Sequence, residues 1–248
     1  MKIYFASDFH LGAPNEEDSA AREKRLVSWL DEIKVDAKEI YLMGDLFDFW
    51  FEYKYVVPKG YIRFLGKIAE LTDSGIPVHF FIGNHDMWMF NYLEDELNVT
   101  IHRNHLAKDF NGKKFFIGHG DGIGPGDYGY KFIKAVFANR ICQWLFARIH
   151  PNFAFAIANY WSGKSRVDVN MLKFLGEEKE HQIIFAREML KSEHYDYFIF
   201  GHRHLPNDIK LSERSRYINL GDWIVNDSYA VFDGKELFLK KYSIHSHG

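Results

Sequence analysis

Five short apolar runs in this chain each end in side chains suited to holding a metal ion. That recurrence constrains the fold more than any other feature. Lys2–Ser7 alternates, is rich in β-formers, and ends in Asp8-Phe9-His10. Glu39–Met43 ends in Gly44-Asp45, and Pro77–Ile82 in Gly83-Asn84-His85-Asp86. Lys114–Gly118 ends in His119-Gly120-Asp121, and Tyr197–Phe200 in Gly201-His202-Arg203-His204. Runs of this length and composition read as buried strands. Open α/β sheets keep their chemistry at the carboxyl edge, where strands give way to loops. Taken singly, each end is ordinary: Gly-Asp is common turn chemistry, and a lone histidine such as His79 or His150 is read as structural or superficial. Five in one chain form a pattern.

The intervening sequence supplies the other layers. Glu23–Lys34 places Leu26, Leu30 and Ile33 on one helical face, and Tyr61–Ser74 does the same with Phe64, Leu65, Ile68 and Leu71, stopped by Gly75. Two shorter strands are expected near Val99–Ile101 and Leu106–Phe110, with Asn111-Gly112 as a hairpin turn. From Tyr128 to about Leu190 the periodicity is helical, in runs around 133–145, 151–160 and 169–190. Strands then return at Pro206–Leu211, Arg216–Leu220, Ser228–Phe232 and Glu236–Tyr242. Strand–helix alternation followed by strand–strand succession implies a mixed α/β (α+β) sandwich with helices outside and a helical insertion.

The ligand set itself is informative. Carboxylate and amide oxygens mixed with imidazole suit Mn, Fe or Zn rather than Ca. Asp8, His10, Asp45, Asn84, His119, His202 and His204 are too many for one tetrahedral site. They suit two ions about 3.5–4 Å apart that share a carboxylate. In an extended segment i and i+2 side chains share a face, so Asp8/His10 and His202/His204 can each point into one site. The remaining histidines, His102 among them, lack this context and are read as surface residues.

D-x-H, GDLFD, GNHD, HGD and GHRH, in this order from Asp8 to His204, resemble the calcineurin-like metallophosphoesterases. The resemblance implies a four-layer αββα sandwich, with residues 1–127 and 191–248 as the core and 128–190 as a helical cap. It implies two divalent ions, with Mn²⁺ the first choice and Fe or Zn alternatives. Asp8, His10, Asp45 and His204 would hold one ion. Asp45, Asn84, His119 and His202 would hold the other, with Asp45 bridging. Such a pair makes hydroxide available near neutral pH for attack on phosphorus. His85 would donate to the phosphoryl oxygens, and Asp48 would orient His85.

The insertion narrows the substrate. Between Lys131 and Lys173 stand Lys131, Lys134, Arg140, Arg148, Lys164, Arg166 and Lys173 against the single acid Asp168, so this stretch is +6 within a chain of net charge −3. Ile149–Trp161 is apolar around most of its circumference, which one buried face does not require. A basic and broadly apolar surface suits anionic lipid, and an aromatic-basic one could stack on nucleic acid. The single cysteine, Cys142, suits a reducing compartment. The N-terminus lacks the apolar core of a signal peptide, and no stretch is long and apolar enough to span a bilayer. A cytoplasmic protein is expected.

GDLFDFW, the HGD block followed by Asp127 and Tyr130, the basic insertion and GHRHLP are similar to UDP-2,3-diacylglucosamine pyrophosphohydrolases. That group cleaves a lipid-linked nucleotide of the lipid A pathway to UMP and 2,3-diacylglucosamine 1-phosphate, at the cytoplasmic face of the inner membrane. The resemblance implies the same substrate, a peripheral membrane location and no nucleic-acid partner. It makes Asp127, Tyr130, Ser162, Lys164 and Arg166 the candidate substrate contacts. Members of that group carry Arg where this chain has His85. Two alternatives remain beside this reading: a metallophosphodiesterase acting on a nucleotide or nucleic acid, and a non-catalytic interaction protein on the same fold.

Overall fold

The structure, a computed structural model, describes residues 1–126, 128–166 and 173–243, with backbone alone for 159–166. In chain order the elements are β1 (Lys2–Ala6), α1 (Glu16–Ile33), β2 (Ala37–Leu42), α2 (Ile62–Asp73), β3 (Val78–Phe81), α3 (Tyr92–Leu97), β4 (Thr100–His102), β5 (Leu106–Phe110) and β6 (Lys113–Ile117). The helices α4 (Tyr128–Ala138), α5 (Arg140–Phe146), α6 (Pro151–Arg166) and α7 (His181–Met189) follow. The chain then closes with β7 (Tyr197–Phe200), β8 (Asn207–Ser212), β9 (Ser215–Asn219), β10 (Ser228–Phe232) and β11 (Leu237–Lys241).

Two sheets result, ordered β11-β10-β1-β2-β3-β4 and β5-β6-β7-β9-β8. β1 to β4 are parallel and β10 and β11 antiparallel. β6, β7 and β9 are parallel between antiparallel β5 and β8. Side-chain alternation builds the layers. Ile3 and Phe5 of β1 meet Phe115, Tyr197 and Ile218 between the sheets, whereas Tyr4 and Ala6 pack with Leu26 and Trp29 of α1 and Phe64 of α2. On β7, Tyr197 and Ile199 face inward and Phe198 and Phe200 face Ile183 and Ala186 of α7. Both faces are covered, which is why Tyr197–Phe200 reads as an unbroken apolar run. The architecture is the expected four-layer αββα sandwich.

Differences from the sequence reading have local causes. α1 starts at Glu16 rather than Glu23, because the Asn15 side chain accepts from the Asp18 amide and Glu16, Glu17 and Asp18 occupy the electropositive first turn. α3 was not expected. Its start is capped by Glu52, which accepts the Asn91 and Tyr92 amides at 3.0 and 3.1 Å from far upstream in the chain. Of the helical run expected over 169–190, residues 169–172 lie outside the described residues, and among the described ones helix occurs at α7, preceded by a turn at 177–179. His102 is half-buried rather than superficial, its Nε2 3.1 Å from His79 Nδ1 and its ring stacked on Phe81.

α4 and α5 bury none of their residues. They and α6 lean on the loops that follow β2 and β3 through an aromatic cluster: Phe49, Phe51 and Trp88 against Phe137, Phe146 and Phe155. The Trp88 indole also donates to the Phe137 carbonyl at 2.8 Å. α7, by contrast, belongs to the outer layer of the five-stranded sheet.

Phe115 sits at the centre of the inter-sheet layer, with ring centroids 4.8 to 6.1 Å from Tyr197, Phe110, Phe232 and Phe5. Phe115→Ala is expected to destabilise the fold by about 3–5 kcal/mol, read as a lower denaturant midpoint. A shift below about 1 kcal/mol would contradict this packing.

Candidate metal centre

The loops after β1 and β2 run side by side beyond the sheet. The amides of Asp8, His10 and Leu11 donate to the carbonyls of Gly44, Asp45 and Leu46, and the Asp48 amide returns to Leu11. Asp8, His10, Asp45, His202 and His204 all have positive φ, between 43° and 70°. L-residues adopt that region at a cost and hold it when the surroundings over-determine it. So the i,i+2 pairs Asp8/His10 and His202/His204 converge through left-handed turns, not through the extended alternation expected from sequence. Gly44 must be glycine on two counts: its φ is +92°, and a Cβ there would lie 2.7 Å from His119 Nδ1.

All seven predicted ligands come together. Asp8, His10 and His204 form one group and Asp45, His119 and His202 another, with ligand atoms within 4.8 Å of one another in each. Asp45 Oδ2 lies between them, 3.7 Å from His10 Nε2 and 3.4 Å from His119 Nε2. Asn84 Oδ1 joins the second group, 3.0 Å from His202 Nδ1 and 3.3 Å from His119 Nε2. His10 Nε2 and His204 Nε2 face each other at 3.2 Å. His119 Nδ1 donates to the Met43 carbonyl at 2.8 Å, which turns Nε2 toward Asp45. Convergent lone pairs on buried nitrogen and oxygen, with the outer nitrogen of His119 held by a hydrogen bond, fit divalent cations.

Electrostatics follow from burial. Burial opposes charge on Asp45, yet His119, with His85 and His10, holds its carboxyl well below the usual range. Burial pulls His119 down, but Asp45, with Asp8 and Asp121, carries it up to about 10. His204 is likewise lowered by burial and raised on balance by Asp8. His202 is pushed down to about 4 by burial and by the charge on His119.

Several supporting residues escaped sequence reading. Buried Asp86 accepts the Gly83 and Leu46 amides, each at 2.7 Å, and so stitches GNHD to GDLFD. Asp222 gathers the Ile224, Val225 and Asn226 amides and stands 3.6 Å from His204 Nδ1. It too follows Gly at the end of a strand, the same signal that marked Asp45. Buried Arg22 braces the first loop by donating to the Ala13 carbonyl at 2.6 and 2.9 Å. His85 Nδ1 donates to the Asp48 carbonyl at 3.0 Å, whereas the Asp48 carboxylate is nearer His10, at 3.4 Å, than His85, at 3.8 Å.

A cavity of about 390 Å³ opens directly off Asp48, Asn84 and His85, and Phe49, Trp88, Ile133, Phe146 and Ile157 are among its apolar walls. Of the predicted substrate contacts, Tyr130 lines it and donates to Asp121, which Lys134 also meets at 2.6 Å. Asp127 and the side chains of Ser162, Lys164 and Arg166 lie outside the described residues.

A two-sheet sandwich with this constellation at its strand ends defines a metal-dependent phosphoesterase. The chain belongs to the calcineurin-like phosphoesterase family, whose model matches residues 1–206. Among curated proteins it is similar to the UDP-2,3-diacylglucosamine hydrolase of Porphyromonas gingivalis, 42% identical, with 96% of this chain and 97% of that one covered. The protein of the same name from Vibrio vulnificus is 28% identical, covering 90% of each chain. That of Aeromonas salmonicida is 26% identical, covering 99% of this chain and 95% of the other.

The raised values at His119 and His204 mean that cation uptake displaces protons. Because His119 gives up its proton only as pH rises toward about 10, apparent Mn²⁺ affinity is expected to climb from neutral pH upward. Calorimetry near neutrality in two buffers of different ionisation heat checks this. Identical heats in both buffers would mean that no proton leaves.

Proposed function

We propose that the protein hydrolyses the diphosphate of UDP-2,3-diacylglucosamine, releasing UMP and 2,3-diacylglucosamine 1-phosphate. The observation that carries the reading is the apolar cavity lined at one end by Asn84 and His85. It suits a substrate with a phosphate and an apolar body close together. Relatives of that name, aligned along nearly the whole chain, support it.

In this reading Asp8, His10, Asp45 and His204 hold one divalent cation and Asp45, Asn84, His119 and His202 a second, with Asp45 shared. Mn²⁺ is the first choice, with Fe or Zn alternatives. The cations supply the charge that makes water a nucleophile near neutral pH and steadies phosphoryl oxygens. The chain's own groups do the rest. His85, held at Nδ1 by the Asp48 carbonyl, would in its imidazolium form also donate from Nε2 to a phosphoryl oxygen. The Asp48 carboxylate steadies His10 as well as His85, a broader role than orienting His85 alone. Tyr130, tied to Asp121, forms the wall on the phosphate side, and Asp127, Ser162, Lys164 and Arg166 are retained as candidate contacts to the nucleotide and phosphates.

We read α4–α6 as a cap that receives the acyl chains, and its outer surface as the seat on anionic lipid at the cytoplasmic face of the inner membrane. Phe132, Trp144 and Phe153 are 71, 56 and 70% exposed. The Arg148 guanidinium lies 4.7 Å over the Trp144 ring, so charge and aromatic surface are presented together. Among the described residues no helix is long and apolar enough to cross a membrane.

Purified protein with Mn²⁺ is expected to release UMP from UDP-2,3-diacylglucosamine, and Asp45→Asn to abolish that release. Ala158→Trp fills the cavity and should lower kcat/KM for the lipid nucleotide by roughly tenfold or more while sparing bis-p-nitrophenyl phosphate. Hydrolysis of the generic diester without the lipid nucleotide would leave a phosphodiesterase and remove the substrate assignment.

A further inference from the structure

α7 carries a polar network that the proposed chemistry does not use. Gln182 is 2% exposed and every hydrogen-bonding position of its amide is engaged. Its Nε2 donates to the Gly120 carbonyl at 3.2 Å and to the Gly201 carbonyl at 3.0 Å. Its Oε1 accepts from the Tyr217 hydroxyl at 2.7 Å and from Asn219 Nδ2 at 3.1 Å. Two carbonyls on one side and two donors on the other fix the amide's orientation. Gly120 immediately follows His119, and Gly201 immediately precedes His202. The two loops already touch, the Gly201 amide donating to the His119 carbonyl at 2.9 Å. A Cβ on Gly120 would stand 2.4 Å from Gln182 Nε2, so the glycine leaves room for this amide.

We infer that Gln182 is a positioning residue that sets the relation between His119 and His202 and thereby the affinity of the second cation site. One side chain clamps the peptide planes next to both imidazoles, and both imidazoles meet Asn84 Oδ1. The start of α7 adds a second tie. Glu180 pairs with Arg203, between His202 and His204, through Nε at 2.8 Å and Nη2 at 2.9 Å. The first group is reached from Gln182 only indirectly, through the His202 amide that donates to Asp8 at 3.0 Å. Its loops are held by the β1–β2 backbone ladder, and His204 by Asp222 and by Asn226, which donates to the His204 carbonyl at 3.1 Å. The inference rests on the reading that these clusters hold metal.

The test is titration of the full chain with Mn²⁺ alone, followed by calorimetry and elemental analysis. Gln182→Glu keeps the acceptor for Tyr217 and Asn219 but has no donor for Gly120 and Gly201, and Gln182→Met loses both. In either variant one Mn²⁺ should bind as in the parent while the second weakens by roughly 10–100-fold. Tyr217→Phe, which removes a bond to Oε1 and leaves the Nε2 donors, should keep both sites. A parent that takes up no Mn²⁺ overturns the metal reading and this inference with it. A parent that binds two, with variants that also bind two unchanged, overturns the role of Gln182 alone. So does parallel weakening of both ions together with lower thermal stability, the outcome a merely structural glutamine would give.

Discussion

Asp45 is 1% exposed, and a carboxylate taken out of water must be met by opposite charge or by donors. The rest of the site is arranged around that requirement. The Asp45 carboxylate accepts the His85 amide at 2.9 Å through Oδ1 and presents Oδ2 to His10 and His119. The segments that bring these partners start from three different strands. A ladder of backbone bonds between the first two loops and the Asp86 carboxylate behind them leave Asp45 little freedom to turn away.

The left-handed backbone at Asp8, His10, Asp45, His202 and His204 is the local cost of that convergence. An extended strand end would also put i and i+2 on one face, but it would carry the chain about 3.3 Å further past the site with each residue. A left-handed residue turns the chain within one step. It puts i and i+2 on one side while Phe9 and Leu11 point into the apolar layer against α1 and α2. Metal centre and core are therefore built from alternate residues of the same short loops. A substitution in one is felt in the other.

This interleaving explains what could be read from the sequence. The ligand blocks are local: D-x-H, GDLFD, GNHD, HGD and GHRH each carry their donors within a few positions, and each follows an apolar run. The sandwich was legible for the same reason, since strands covered on both faces lack the polar alternation of a surface strand. The supports were not legible because they act across the chain. Gln182 reaches Gly120 and Gly201, Glu52 caps α3, and Arg22 binds the Ala13 carbonyl, and no spacing rule marks any of these. Asp222 was within reach, because Gly221-Asp222 ends a strand as Gly44-Asp45 does. The left-handed turns were hidden by the identity of their residues, since Asp and His enter that region far less readily than glycine does.

The loops after β2 and β3 also carry the side chains that face α4–α6. In GDLFDFW and the Phe51 that follows it, Asp45 and Asp48 belong to the polar centre, Phe47 and Trp50 to the core beneath, and Phe49 and Phe51 to the aromatic cluster under α4–α6. In GNHDMW, polar Asn84 and His85 and apolar Met87 and Trp88 all line the cavity. Polar and apolar surfaces are thus joined within a few residues of backbone, with no linker to let them drift apart. A ligand that satisfies both must carry its charge and its apolar portion at a fixed, short separation. A small phosphoester would use the centre and leave the cavity wet. A free fatty acid would fill the cavity and give the paired carboxylates and imidazoles no phosphorus to act on. In the proposed reading the loops favour molecules in which the two are one, and the residues that would do so belong to the same loops that hold Asp45.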